Sequence, residues 1–177
     1  MAPFEEEQRF NQLWLWAILL LIPLGAVATF VPGMFRQLVQ GTPWGSRPMS
    51  DTALLLVGGG SIAFSLLLVW AMRVMRLKTR VDGQGVHLHF VLLRRRSVPF
   101  AEITGCEVVD YRPLRDYGGW GIRRGRGGWA YNVSGSRGVR LELSDGQHLL
   151  VGSRRPEQLH AAIEAWREPT DRQDGGC

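Results

Sequence analysis

The residues best suited to chemistry lie in one short stretch, Gly118-Gly119-Trp120-Gly121-Ile122-Arg123-Arg124-Gly125-Arg126-Gly127-Gly128-Trp129. Its glycines would let backbone amides wrap an anion, and Arg123, Arg124 and Arg126 could pair with phosphate oxygens. Trp120 and Trp129 would add flat surface for a headgroup layer or a partner protein. The spacing runs G-x-G-x-x-x-G outside any strand-then-helix context, so it is no dinucleotide fingerprint, and the Gly-Lys-Ser/Thr of a nucleotide loop is missing. The default reading is plainer: a long hairpin whose glycines satisfy unusual backbone angles and whose arginines are solvated. Contact with anionic headgroups or a partner is the functional alternative.

Other charged residues carry weaker signals. Arg94-Arg95-Arg96 reads as a solvated strand edge that discourages edge pairing. It gains meaning only beside Arg73, Arg76, Lys78 and Arg80 near a bilayer, where each basic residue contributes about 1 kcal/mol. His87 and His89 share a strand face, but no third ligand appears at a metal-binding spacing, with His148 and His160 on separate elements. Glu102, Glu107 and Asp110 have no accompanying nucleophile or pocket motif. The serine-hydrolase elbow, zinc-protease helix and kinase signature are absent. The expectation is therefore no catalytic residue, no cofactor, no metal and no enzyme. Cys106 and Cys177 make no disulfide framework, and sparse cysteine fits a reducing compartment.

These residues must be positioned by a chain of two very different halves. Leu13–Val31 carries no charge, and neither does Ala53–Met72. Each run is about 20 residues, long enough to cross a hydrocarbon core of ~30 Å. A signal peptide needs a basic start, whereas Glu5, Glu6 and Glu7 precede the first run. The reading is a transmembrane hairpin over residues 13–75, with spans at about 13–31 and 53–75. Residues 1–12 are expected to be an irregular cytoplasmic segment. Trp14 and Trp16 suit the interface, Pro23 predicts a kink, and Gly58–Gly60 are expected to pack on the Gly25–Ala26–Ala28 surface. Between the spans, Met34, Phe35, Leu38 and Val39 suggest a brief interfacial helix ending at Gly41.

The loop between the spans holds Arg36 and Arg47, whereas Arg73, Arg76, Lys78 and Arg80 follow the second span. The positive-inside rule then places both termini in the cytoplasm of a multi-pass protein of the plasma (inner) membrane. The mean hydropathy of −0.05 averages an apolar front with a polar back. The net charge of +5 favours anionic surfaces, of which the protein's own bilayer is the nearest.

From Thr79 the pattern alternates. Asp82-Gly83 and Asp145-Gly146 mark tight turns, and short strands are expected at Val86–Phe90, Arg94–Val98, Cys106–Tyr111, Ala130–Ser134, Gly138–Leu143 and His148–Val151. Pro156 and Glu157 open a helix with Leu159, Ile163 and Trp166 on one face, and Pro169 stops it before a disordered tail at 169–177. A C-terminal helix can plug the open end of such a bent antiparallel sheet.

This order resembles the pleckstrin-homology-like (PH-like) domains of bacterial membrane proteins, which often follow a pair of membrane helices. The residues that carry the likeness are Val98-Pro99-Phe100-Ala101-Glu102-Ile103, Gly138–Leu143 with Asp145-Gly146, and Gly152–Leu159. The segment Asp116–Arg123 also looks like one in uncharacterised members. The resemblance implies an α+β chain: the hairpin, then over residues 76–168 a PH-like antiparallel sandwich or open barrel capped by a helix. It carries over no catalytic residue. The expected role is a non-catalytic adaptor or assembly module, with the bilayer, anionic lipid, a protein partner or a second copy as partners. The alternatives are nucleic-acid binding through the Gly/Arg stretch, which no recognition fold supports, and an enzyme with an unrecognised pocket.

Overall fold

The computed structural model describes residues 3–125 and 127–167. The chain forms two compact units, Met1–Phe10 with Met75–Cys177, and Asn11–Val74. It thus starts in one unit, leaves it for the apolar hairpin, and returns.

The hairpin unit has two helices long and apolar enough to cross a membrane, Leu13–Val39 and Asp51–Val74. In the first, α1 (Leu13–Met34) runs directly into a π-helical turn, Phe35–Val39. The expected separate interfacial helix is therefore the end of α1: Met34–Val39 contains no breaker, and the helix stops just before Gly41, whose φ is +68°. Pro23 and Pro32 lie inside α1. The second helix joins α2 (Asp51–Leu54), a π turn Leu55–Gly59 and α3 (Gly60–Val74). Ser50 caps it by accepting the Ala53 N–H at 3.3 Å.

The helix contact differs from the expected glycine-on-alanine seam. A Cβ on Gly58 would fall 2.5 Å from Met34 Cε and 2.9 Å from Phe30 Cδ1, while Gly25, Gly59 and Gly60 have no such neighbour within 4 Å. Gly58 is a socket for two large side chains one turn apart, so close approach serves knob packing rather than backbone-to-backbone contact.

The other unit holds two sheets. The first has the order β1-β2-β3-β4 and the second β5-β8-β9-β7-β6, and among the described residues the two do not close into a barrel. In the first, β1 (Phe4–Arg9), β2 (Arg76–Asp82), β3 (Gly85–Phe90) and β4 (Arg94–Pro99) form an antiparallel meander. The N-terminal segment is thus a strand, not irregular. Its burial alternates, with Phe4, Glu6 and Gln8 inward and Glu5, Glu7 and Arg9 outward. Gln8 Nε2 donates to the Gly152 carbonyl at 2.7 Å, and Glu6 accepts from Ser153 Oγ and, at 2.8 Å, from the Arg154 N–H. Two inward polar residues are affordable because each is hydrogen-bonded.

The second sheet begins with β5 (Ile103–Asp110), after a single 3₁₀ turn at Phe100–Glu102. A short helix α4 (Pro113–Tyr117) and the hairpin β6 (Gly121–Gly125) and β7 (Gly128–Asn132) follow, then β8 (Arg137–Leu143), β9 (His148–Gly152) and α5 (Pro156–Arg167). β7 lies parallel to β9, while β8 runs antiparallel to both of its neighbours, β5 and β9. Val81, Leu88, Phe90, Val139, Leu141, Leu149, Leu159 and Ile163 are buried almost completely. On the other side of β9, Leu150 packs with Tyr111, Tyr117 and Ala130. The Leu149-Leu150-Val151 run has no polar alternation because both faces of β9 are covered.

Candidate functional site

The Gly/Arg stretch begins at Gly118, which caps the end of α4, and contains β6 and the first two residues of β7. Arg123 faces Ala130 across the hairpin and Arg124 faces Trp129. Successive strand residues point to opposite sides, so the two arginines do not share a face. Arg123 Nε donates to the Trp120 carbonyl at 3.2 Å, Trp120 Nε1 donates to the Gly135 carbonyl at 3.3 Å, and the Arg124 guanidinium lies 6.0 Å from the Trp129 ring centre. Arg126 lies outside the described residues. A cleft of about 1090 Å³ opens beside this stretch, edged by Arg112, Arg115 and Arg140 and also by Asp110 and Asp116. Arg140 is bound to Glu107 at 2.9 Å.

Arg76, Lys78 and Arg80, which follow the second apolar helix, prove to be partnered. Arg76 and Lys78 lie 3.2 and 3.6 Å from Glu7, and Arg80 lies 3.5 Å from Glu5 and 3.1 Å from Asp82. Arg9 also binds Glu7, at 2.7 Å. The Arg9 hydrogen bond first, and Arg76 after it, hold the Glu7 carboxyl below its ordinary range. Such exposed pairs add little stability. They do cancel much of the positive field that Arg76, Lys78 and Arg80 would otherwise project. Arg73 belongs to the other unit, in the last turn of α3.

Register also divides the triple arginine. Glu7, Lys78, His89 and Arg95 stand in one cross-strand row, whereas Arg94 pairs with Phe90 and Arg96 with Leu88 on the opposite face. His87 is held by Asp82 and Ser97, at 3.1 and 2.9 Å. His89 is kept below the usual imidazole range, by burial first and then by Arg95, Lys78 and Arg76. The folded chain therefore takes up the His89 proton less readily than the unfolded chain. Its contribution to stability is complete above about pH 6.5 and declines as the pH falls from there through the depressed value. Thermal midpoints at about pH 7.5 and about pH 5.5 check this: His89→Gln should lose less on acidification than the parent.

A turn joins β3 to β4 where the strand pattern puts one, but sequence reasoning did not single out its exposed apolar residues. Leu92 and Leu93 are 52% and 58% exposed there. Leu92 has φ +71°, the one non-glycine residue with positive φ among the described residues. That conformation costs a leucine about 1 kcal/mol. Val91 N–H donates to the Arg76 carbonyl at 2.9 Å, so the turn sits at the end of the sheet where β2 begins and β1 ends. Arg94 and Arg95 follow it, both exposed. Two apolar side chains held into solvent with cations behind them form an amphipathic tip. The available signal was a three-residue connection, Val91-Leu92-Leu93, built from apolar residues where a turn ordinarily uses Gly, Asn or Asp.

Cys106 points toward α5. Burial, and then the neighbouring Glu164, push its thiol up to about 12. A thiol in that state is a poor nucleophile at neutral pH. Comparison of the chain with protein-family models and with curated protein sequences finds no match.

Proposed function

We propose that this chain is an integral membrane protein whose β unit is a PH-like, non-catalytic adaptor that rests on anionic lipid. The pairing of β1 with β2 carries the reading. The strand before the hairpin and the strand after it are in register from Phe4↔Val81 to Arg9↔Arg76. Two flanks joined by a six-residue ladder belong on one side of a bilayer, which favours a hairpin with two crossings. Lys and Arg excess favours the cytoplasmic side, and Arg9 adds to Arg73, Arg76, Lys78 and Arg80 there.

Strand order supports the PH-like assignment. With residues 112–136 set aside, the unit reads as a four-strand meander, a three-strand meander β5-β8-β9, and a closing helix. The hairpin then occupies the first strand connection of that domain, and α4 with β6–β7 is an insertion that widens the second sheet.

The amphipathic tip supports the lipid contact. In the chain Arg76 follows Val74 by two residues, a reach of at most about 7 Å. The Leu92–Leu93 turn adjoins that same residue, whose carbonyl accepts the Val91 N–H. Leucines entering the acyl boundary and arginines reaching phosphate is the pattern of an interfacial anchor.

The test uses full-length protein in lipid nanodiscs of phosphatidylcholine, alone or mixed with phosphatidylglycerol. Amide exchange over residues 91–96 should be several-fold slower in the anionic discs. The Leu92→Asp/Leu93→Asp protein should lose that difference while keeping its fold, since Asp tolerates positive φ better than Leu. Equal exchange in both lipids overturns the lipid contact. A chain that stays dispersed in buffer without detergent overturns the anchoring itself.

A further inference from the structure

A cluster of three side chains lies away from the tip, where α5 meets the second sheet. Cys106 comes from β5, His160 and Glu164 from α5. Each offers one ligand atom, these atoms all lie within 4.8 Å of one another, and all three residues are partly buried. His160 and Glu164 are four apart, which places them on one side of the helix. His160 looked isolated in the sequence because its companions are 54 residues back, at Cys106, and one helical turn ahead.

We propose that Cys106, His160 and Glu164 form a binding site for a divalent transition-metal ion of the zinc class. The donor set is one sulfur, one nitrogen and one oxygen, each a known zinc ligand with bonds of about 2.0–2.3 Å. Tetrahedral bonds of that length put neighbouring donors roughly 3.3–3.8 Å apart. Closing on an ion thus needs a contraction of at most about 1.0–1.5 Å, within reach of the cysteine and glutamate rotamers. The sulfur selects against magnesium and calcium, which prefer all-oxygen shells.

The surroundings orient the ligands. His160 Nε2 lies 3.1 Å from the Cys106 carbonyl oxygen. With its proton on Nε2 the ring donates to that carbonyl and presents the Nδ1 lone pair to the ion, as metal-binding histidines commonly do. Arg167 binds Glu164 Oε1 at 2.7 Å and the Thr104 carbonyl at 2.9 Å. This steadies the carboxylate and leaves Oε2 for coordination. The guanidinium also opposes a dication, so the site is expected to bind in the micromolar range rather than more tightly. Coordination replaces the thiol proton by the ion. Three protein ligands leave a fourth position for water, and the ion would pin α5 to β5.

The experiment titrates Co²⁺ into the full-length Cys177→Ser protein in detergent, where Cys106 is the one remaining thiol. The expected result is a single equivalent bound, with near-ultraviolet thiolate-to-cobalt absorption and the visible bands of a four-coordinate ion. Zn²⁺ should displace it and raise the thermal midpoint. His160→Ala and Glu164→Gln should each weaken binding at least about tenfold, and Cys106→Ser should remove the near-ultraviolet band. Circular dichroism of each variant reports folding independently. No thiolate-to-cobalt band, or a band of equal affinity after both helix substitutions, overturns the site. Neither result bears on the membrane reading, which this assay does not touch.

Discussion

Glu6→Ala will loosen the amino-terminal strand from the β unit, at a cost of about 2–4 kcal/mol. The side chain is only 8% exposed. Its Oε1 accepts the Arg154 N–H at 2.8 Å and its Oε2 accepts from Ser153 Oγ. Ser153 Oγ in turn accepts the Arg155 N–H at 2.9 Å, and Arg155 donates to the Glu5 carbonyl at 2.7 Å. One carboxylate therefore organises the link from β9 into α5, just before Pro156 begins the helix. Alanine strands a partly buried N–H and the buried Ser153 hydroxyl, which is the expensive way to lose a hydrogen bond. Chemical denaturation of the full chain, with amide exchange at Arg154 and Arg155, measures the loss. Glu5→Ala, on the solvent side of the same strand, should cost less than about 0.5 kcal/mol. Equal losses at the two positions would show that β1 is not seated as described. The same bonds mean that a fragment starting after the second apolar helix lacks its edge strand, so work on the β unit requires the intact chain.

How far the sequence reveals this architecture depends on which residues face inward. The pair of long apolar helices was legible because two charge-free runs flank a short polar loop, and α5 was legible from Pro156 and the Leu159/Ile163 face. The Asp82-Gly83 and Asp145-Gly146 turns fall where the dipeptides put them. β1 was hidden because two of its three inward positions are Glu6 and Gln8, so the hydrophobic alternation that betrays a strand is absent. Its reason for being a strand lies more than 140 residues away, at Gly152–Arg154. Long-range pairing likewise conceals the Cys106, His160 and Glu164 cluster. The neutralisation of Arg76, Lys78 and Arg80 could not be seen without the β1 register. For the Gly/Arg stretch the composition was visible but the function of each glycine was not, since that depends on which backbone passes beside it.

Gly128 makes that last point measurable. Its φ is +95°, and a Cβ there would lie 2.1 Å from the His148 carbonyl oxygen. The close approach follows from topology: β7 runs parallel to β9, with Trp129 opposite Leu149, so the residue before the pair is pressed against the neighbouring strand. Gly128→Ala therefore incurs both the left-handed backbone penalty and a clash with backbone, which cannot swing aside as a side chain can. The expected loss is about 3 kcal/mol or more. Gly135 offers the comparison, because its φ is +77° with nothing within 4 Å of a built Cβ. Gly135→Ala should cost only the conformational part, about 1 kcal/mol. Arg124→Ala, which removes an exposed side chain lying over Trp129, should stay within about 0.5 kcal/mol. Denaturant midpoints of the three proteins, at unchanged m-value, rank these costs. If the ranking holds, the glycines of this stretch serve the seating of β7 on β9. A Gly128→Ala protein as stable as the parent would instead free the stretch for the anion-binding role.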